Sequence, residues 1–288
     1  MPLPHGEIGN RGEFEVPGPA RRLLIGTWNI GGGVLDVSHR KGAPAQLGYH
    51  IDRLMRARPE ILCLQESHTF RDGRAGQAQE IAQALGADWF RTWPLSESHL
   101  APDADLSLAV LSRWPLSAPR TVTFPNPGLT TTGPDGDHWR ILDKGYMVVE
   151  ADLADTTLRI ANAHCFPLHY FGTTAAAPRF ASLWNRLAED LLTLARSGPT
   201  LVTVDLNHQP VEDLLGSLFE SGVYTSAAHG SPTTPKGSQQ DYILYTGADL
   251  RLVETVVIPT RADHHYVQAL FELTGATPSA TGQAKESR

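Results

Sequence analysis

The chain is 288 residues long, with 41% hydrophobic and 19% charged residues, which is ample material for a full core. Its net charge of -7 excludes a protein that coats nucleic acid by bulk charge alone, because such domains are usually basic. No run approaches the ~20 apolar residues of a membrane span, the N-terminal stretch lacks the apolar segment of a secretion signal, and Cys63 and Cys165 each stand inside an apolar run, so a cytoplasmic protein without a disulfide framework is expected.

Residues 1–21 are small and polar and are expected to be disordered. The first apolar run, RLLIGTWNI, reads as a strand that ends on Asn29. PAQLGYHIDRLMRARP then places Leu47, Ile51, Leu54 and Met55 at helical spacing, and EILCLQES is a second strand that stops at Gln65 and Glu66. GQAQEIAQALGA repeats the helical pattern briefly. LSLAVLSRWP, just after Asp105, and KGYMVVEADL, opening on Lys144, are two further strands, and LRIANAHCF carries His164. Between the first two of these, NPGLTTTGPDGDHWRILD is Gly/Pro-rich and contains His138, Trp139 and Arg140. It reads as either a lid or a long surface loop. After His164, the segment FPLHYFGTT holds His169, Tyr170 and Phe171, which either floor a substrate pocket or pack beneath the strands.

The clearest helix is PRFASLWNRLAEDLLTLARSG, where Phe180, Leu183, Trp184, Leu187, Leu191 and Leu194 form one stripe between Pro178 and Gly198. TLVTVDLN ends with Asp205 and Asn207, two apart on one strand face, and QQDYILYT begins at Asp241. LRLVETVVI and YVQALFEL close the pattern, the latter preceded by Asp263, His264 and His265. Residues 22–272 read as one α/β domain, with no internal repeat or linker, and 273–288 as a second disordered end.

Polar side chains thus stand where apolar strands stop. Any one of them satisfies a turn, but the set can converge on one rim of a sheet, where sites are commonly built. The ordered motifs TWN, LQE, NAH, DLN, DYIL and ADHH resemble the endonuclease/exonuclease/phosphatase superfamily, the deoxyribonuclease I-like metal-dependent phosphoesterases. The resemblance implies a four-layer αββα sandwich of two mixed β-sheets flanked by helices, and metal-dependent phosphoester hydrolysis. It further implies that Asp241 partners His264 while Asp263 faces the metal, and that His164 is held by a carboxylate, for which Asp105 is available. Whether Asp205 or His264 is the general base is left open by the family pattern.

The chemistry of these residue types is consistent with that. Glu66 and Asp263 offer hard carboxylate oxygens and Asn29 an amide oxygen, a set suited to Mg²⁺ or Mn²⁺. An imidazole such as His264 can exchange a proton near neutral pH. Asp205 and Asn207 can address one phosphate or water, and His164, paired with Asp105, would serve as a general acid. Lys144 and His169 are candidates for substrate contact, and His265 alternates to the other face and reads as structural. The leading expectation is a Mg²⁺-dependent phosphodiesterase of nuclease type, with nucleic acid or a nucleotide among its substrates. The alternatives are a phosphatase or phosphodiesterase of a small metabolite, nucleotide or lipid head group, and a non-catalytic binding module on the same fold. No obligate protein partner is indicated.

Overall fold

A computed structural model describes residues 21–35, 42–133 and 136–274. The end segments expected to be disordered, 1–21 and 273–288, lie outside the described residues apart from Arg21, Leu273 and Thr274. In chain order the elements are β1 (Arg22–Asn29), α1 (Leu47–Ala57), β2 (Ile61–Phe70), α2 (Gln77–Leu85), β3 (Trp89–Glu97), β4 (Ala104–Ser112), β5 (Arg120–Thr123), β6 (Thr130–Thr132) and β7 (His138–Arg140). They continue with β8 (Gly145–Asp152), β9 (Thr157–His164), α3 (Ala181–Ala195), β10 (Thr200–Asp205), α4 (Glu212–Glu220), β11 (Tyr224–Ser226), β12 (Asp241–Thr246), β13 (Leu250–Ile258) and β14 (Tyr266–Leu273).

Two mixed six-stranded sheets result, ordered β13-β14-β1-β2-β4-β3 and β11-β12-β10-β9-β8-β5, with β6 and β7 forming a separate hairpin. Side-chain alternation makes the sandwich. In β1, Leu23 and Ile25 point between the sheets, where they meet Ile160, Leu201, Ile243 and Phe271. Trp28 points outward and packs with Leu54 of α1 and Ile81 of α2. In the second sheet, Val202, Val204 and Leu244 face outward onto Trp184 and Leu187 of α3 and Leu218 of α4. Burying each such Leu or Ile contributes roughly 1.5–3 kcal/mol relative to exposure, so the layers are fixed helix, sheet, sheet, helix. This is the expected αββα architecture.

Sequence patterning failed at the short or irregular elements. Edge strand β3 carries Pro94, which removes a ladder donor and is tolerated because only β4 pairs with it. Helix α4 contains Gly216 and departs from helical geometry at Leu215, and β5, β6, β7 and β11 are too short to show a period. In α1, Met55 is exposed while His50 is buried, so the inward face is rotated from the one the spacing suggests. Among the described residues, no helix is long and apolar enough to cross a membrane.

Candidate active site

The topology carries the motif residues to one edge of the sandwich. Strands β1 and β2 run parallel with Asn29 beside Gln65, and β9 and β10 run parallel with His164 beside Asp205. Asp241 opens β12 opposite Asp205, and Gly145 of β8 faces His164, which brings Lys144 to the same edge. Asp263 and His264 precede β14, whose Val267 pairs with Thr27 of β1. Beneath this edge Gln65 donates to Asn162 (2.7 Å), and Asn162 donates to the carbonyls of Leu64 (2.9 Å) and Ala109 (3.0 Å), locking the sheets together.

Asp205 Oδ2 is the hub. It accepts from Asn29 Nδ2 at 2.8 Å and lies 3.3 Å from His164 Nε2 and 3.8 Å from His264 Nε2. His264 Nδ1 is 2.8 Å from Asp241 Oδ2. His264 is 7% exposed and Asp205 fully buried, so the imidazole faces the mouth and the carboxylate lies beneath it. Burial disfavours the charged imidazole, but Asp241, Asp205 and Asp263 outweigh it and raise the His264 pKa well above its ordinary value. Burial raises the Asp205 carboxyl to about 7, Asp241 adds to the rise, and His264, Asn29 and Lys144 oppose it.

Glu66 reaches the same centre through a break in its strand. β2 does not stop at Glu66 as the sequence suggests; it bulges between Leu64 and Ser67 and continues to Phe70. Glu66 adopts a φ of 54°, a conformation non-glycine residues rarely take, and the bulge turns its carboxylate toward Lys144, 3.5 Å away. Burial opposes its ionisation, yet the neighbouring positive charges, Lys144 first, hold the carboxyl well below the usual range. The Lys144 ammonium also lies 3.1 Å from each ring nitrogen of His164. Burial, and then Lys144, push the His164 imidazole well below its ordinary value. His164 is therefore neutral, with its Nε2 3.3 Å from Asp205 Oδ2.

Two site expectations are corrected. Asp105 does not hold His164: it pairs with Arg71 at 2.6 Å, on the side of β4. Asn207 does not share a strand face with Asp205, because β10 ends at Asp205. Asn207 instead adopts a φ of 53°, donates its backbone N–H to Asp205 Oδ1 (3.0 Å) and its side chain to the Cys165 carbonyl (3.1 Å). Asp263 lies against Gly31, where an added Cβ would fall 3.3 Å from Oδ1, so the missing side chain of this glycine, at a φ of 49°, keeps the approach open. His265 accepts from the Thr260 backbone N–H at 3.2 Å, a structural bond. His169 is exposed on the turn after β9, outside the buried cluster.

The sequence reading missed His68 and His99, whose charges act on Glu66 or on each other. His68 is buried on the β2 continuation, Nε2 2.9 Å from Ser98 Oγ; its only sequence signal was its spacing of two from Glu66. Among the described residues, Asp205, Asp241 and His264 bring ligand atoms within 4.8 Å of one another.

The model of the endonuclease/exonuclease/phosphatase family matches residues 26–279. No curated protein matches the chain. Among solved structures, an endonuclease/exonuclease/phosphatase from Beutenbergia cavernae is similar with a TM-score of 0.66 at 20% identity, over 89% of this chain and 72% of that one. The human nocturnin catalytic domain with bound sulfate has a TM-score of 0.62 at 17% identity, over 88% and 95%. The 2′,3′-cyclic phosphatase ANGEL2, in complex with adenosine-2′,3′-vanadate, has a TM-score of 0.59 at 14% identity, over 88% and 96%.

Proposed function

The chain belongs to the endonuclease/exonuclease/phosphatase family, and on that footing we propose that it is a divalent-metal-dependent phosphoester hydrolase, a phosphodiesterase in which water attacks phosphorus in line. The observation that carries this is the buried assembly of His264, Asp241 and Asp205, with Asp205 also bonded to Asn29.

The donor set fits a hard cation. Glu66, Asp205, Asp241 and Asp263 bring four carboxylates to a centre whose cations are Lys144 and His264, and Asp241 Oδ1 is buried without a hydrogen-bond partner. Glu66, Asp263 and Asn29 would hold Mg²⁺ or Mn²⁺. Such an ion would offset charge developing on the non-bridging phosphate oxygens.

The protein groups divide the proton work by their environments. Asp205, titrating near neutrality, is the group with a proton affinity suited to a general base. His264, kept cationic between two carboxylates, donates to phosphate oxygen and is oriented by Asp241. Lys144 contributes a fixed positive charge beside Glu66, and neutral His164 supplies a hydrogen bond rather than a proton.

A short substrate is favoured over a long polynucleotide. Arg71 and Arg74 after β2 are already paired with Asp105 and Asp103, and Arg140 of β7 with Glu97, so these arginines offer little net charge to an extended phosphate backbone. The test is hydrolysis of a panel of phosphomonoesters and diesters, nucleotides, inositol phosphates and short oligonucleotides by the wild type and Asp205→Asn. Turnover lost in the variant is expected; no turnover in the wild type, or undiminished turnover in the variant, overturns the reading.

A further inference from the structure

We propose that Tyr170, bracketed by His169 and Trp139, is a stacking shelf for a planar ring carried by the substrate, a nucleobase by its chemistry. This rests on the phosphoesterase reading and names the substrate class.

Tyr170 stands on the turn Leu168–Phe171 that follows β9, immediately after His164 has entered the site. Its side chain is exposed, at 42%. Among the described residues, the other large exposed apolar side chains, Met55, Trp89, Val253 and Val256, sit on α1, β3 and β13, none of which supplies a group to the site described above. Tyr170 lies six residues past His164 in the chain, and burial of part of the ring raises its phenol, the charges of Asp263, Asp205 and Glu66 adding to the rise.

The ring is held rather than loose. The Trp139 indole meets it edge-on, with centroids 6.2 Å apart and planes at 80°. The His169 imidazole lies against it at 4.1 Å, tilted by 42°. Trp139 is itself seated over Gly133, where an added Cβ would fall 2.3 Å from the indole, so only glycine permits this position on the β6–β7 hairpin. An edge-on neighbour braces an aromatic ring while leaving a face for a partner, the arrangement in which offset stacking on a planar ring is favourable.

A nucleotide, with one phosphate at the catalytic centre and its base on Tyr170, meets both features.

The test compares a dinucleotide with the same dinucleotide lacking one base, using the full chain with Mg²⁺ or Mn²⁺. The base is expected to lower KM about tenfold, Tyr170→Ala to erase that difference, and Tyr170→Phe to keep it. Trp139→Ala should weaken it in part. Equal loss on both substrates in Tyr170→Ala, or a wild type indifferent to the base, overturns the shelf. Absence of turnover on either dinucleotide would count against the phosphoesterase reading, whereas calorimetric titration showing the same affinity for adenosine monophosphate as for ribose phosphate would count against the shelf alone.

Discussion

His264 Nδ1 lies 2.8 Å from Asp241 Oδ2, and both groups are buried at the edge of the sandwich where two sheets meet. That bond fixes the orientation of the ring, and the Asp241 charge is the first of the influences that overcome burial and keep His264 protonated. Asp241→Asn should leave the fold intact and lower kcat by up to ~10⁴-fold, as expected when a catalytic His loses its orienting carboxylate. Because His264 would then release its proton at lower pH, the alkaline limb of the pH–rate profile should move to lower pH. An unmoved limb with near wild-type kcat would mean that another group orients the imidazole.

Lys144 competes for Glu66. The ammonium, 3.5 Å from the carboxylate, neutralises charge that a cation would otherwise meet. Lys144→Met should therefore tighten Mg²⁺ or Mn²⁺ binding by about tenfold, while lowering kcat through loss of the positive charge. Calorimetric titration decides: weaker cation binding in the variant would show that Lys144 organises the ligands instead.

His164 is neutral and Asp105 belongs to a surface pair, so neither forms the general acid that the motif pattern suggests. His164→Ala should slow an activated nitrophenyl ester and an alkyl ester of high leaving-group pKa by the same factor. Asp105→Asn should change stability by less than ~1 kcal/mol and leave kcat/KM near wild type, as for a partly exposed ion pair. A selective loss on the alkyl ester in His164→Ala would restore the acid role.

Asp205 is an acid whose folded-state pKa is raised from 3.8 to about 7. At low pH both folded and unfolded chains hold the proton; between those two values the folded chain keeps a proton that the unfolded chain releases, so this group lowers stability as pH rises. In chelator, the stability of the wild type relative to Asp205→Asn should fall from pH 3.8 to about 7. Urea melts across that range check it, and a constant gap would show that the carboxyl is not held protonated.

Much of this was legible in sequence because long strands repeat with a period of two. All nine apolar runs became strands, and Asn29, Gln65, His164 and Asp205 met at one edge because β1 with β2, and β9 with β10, run parallel. The placement of Asn29, His164, Asp205, Asp241 and His264 follows from that topology. What could not be read was set by local irregularity or by contacts distant in sequence. Glu66 depends on a bulge, and Asn207 on a left-handed residue past the end of its strand. His68 was hidden because its strand was expected to stop one turn of the pleat earlier. Asp105 failed because sequence shows a carboxylate near a strand start but not the arginine, 34 residues away in the chain, that takes it.

Phosphoester hydrolysis by this cluster is proposed to need a bound divalent cation. The most direct measurement is the rate of bis(p-nitrophenyl) phosphate hydrolysis by the full chain after dialysis against a chelator, followed by titration with Mg²⁺ and Mn²⁺. Activity is expected to fall to background and to return with the cation, Glu66→Gln requiring a higher concentration to recover. Full activity in the chelated protein would contradict the claim.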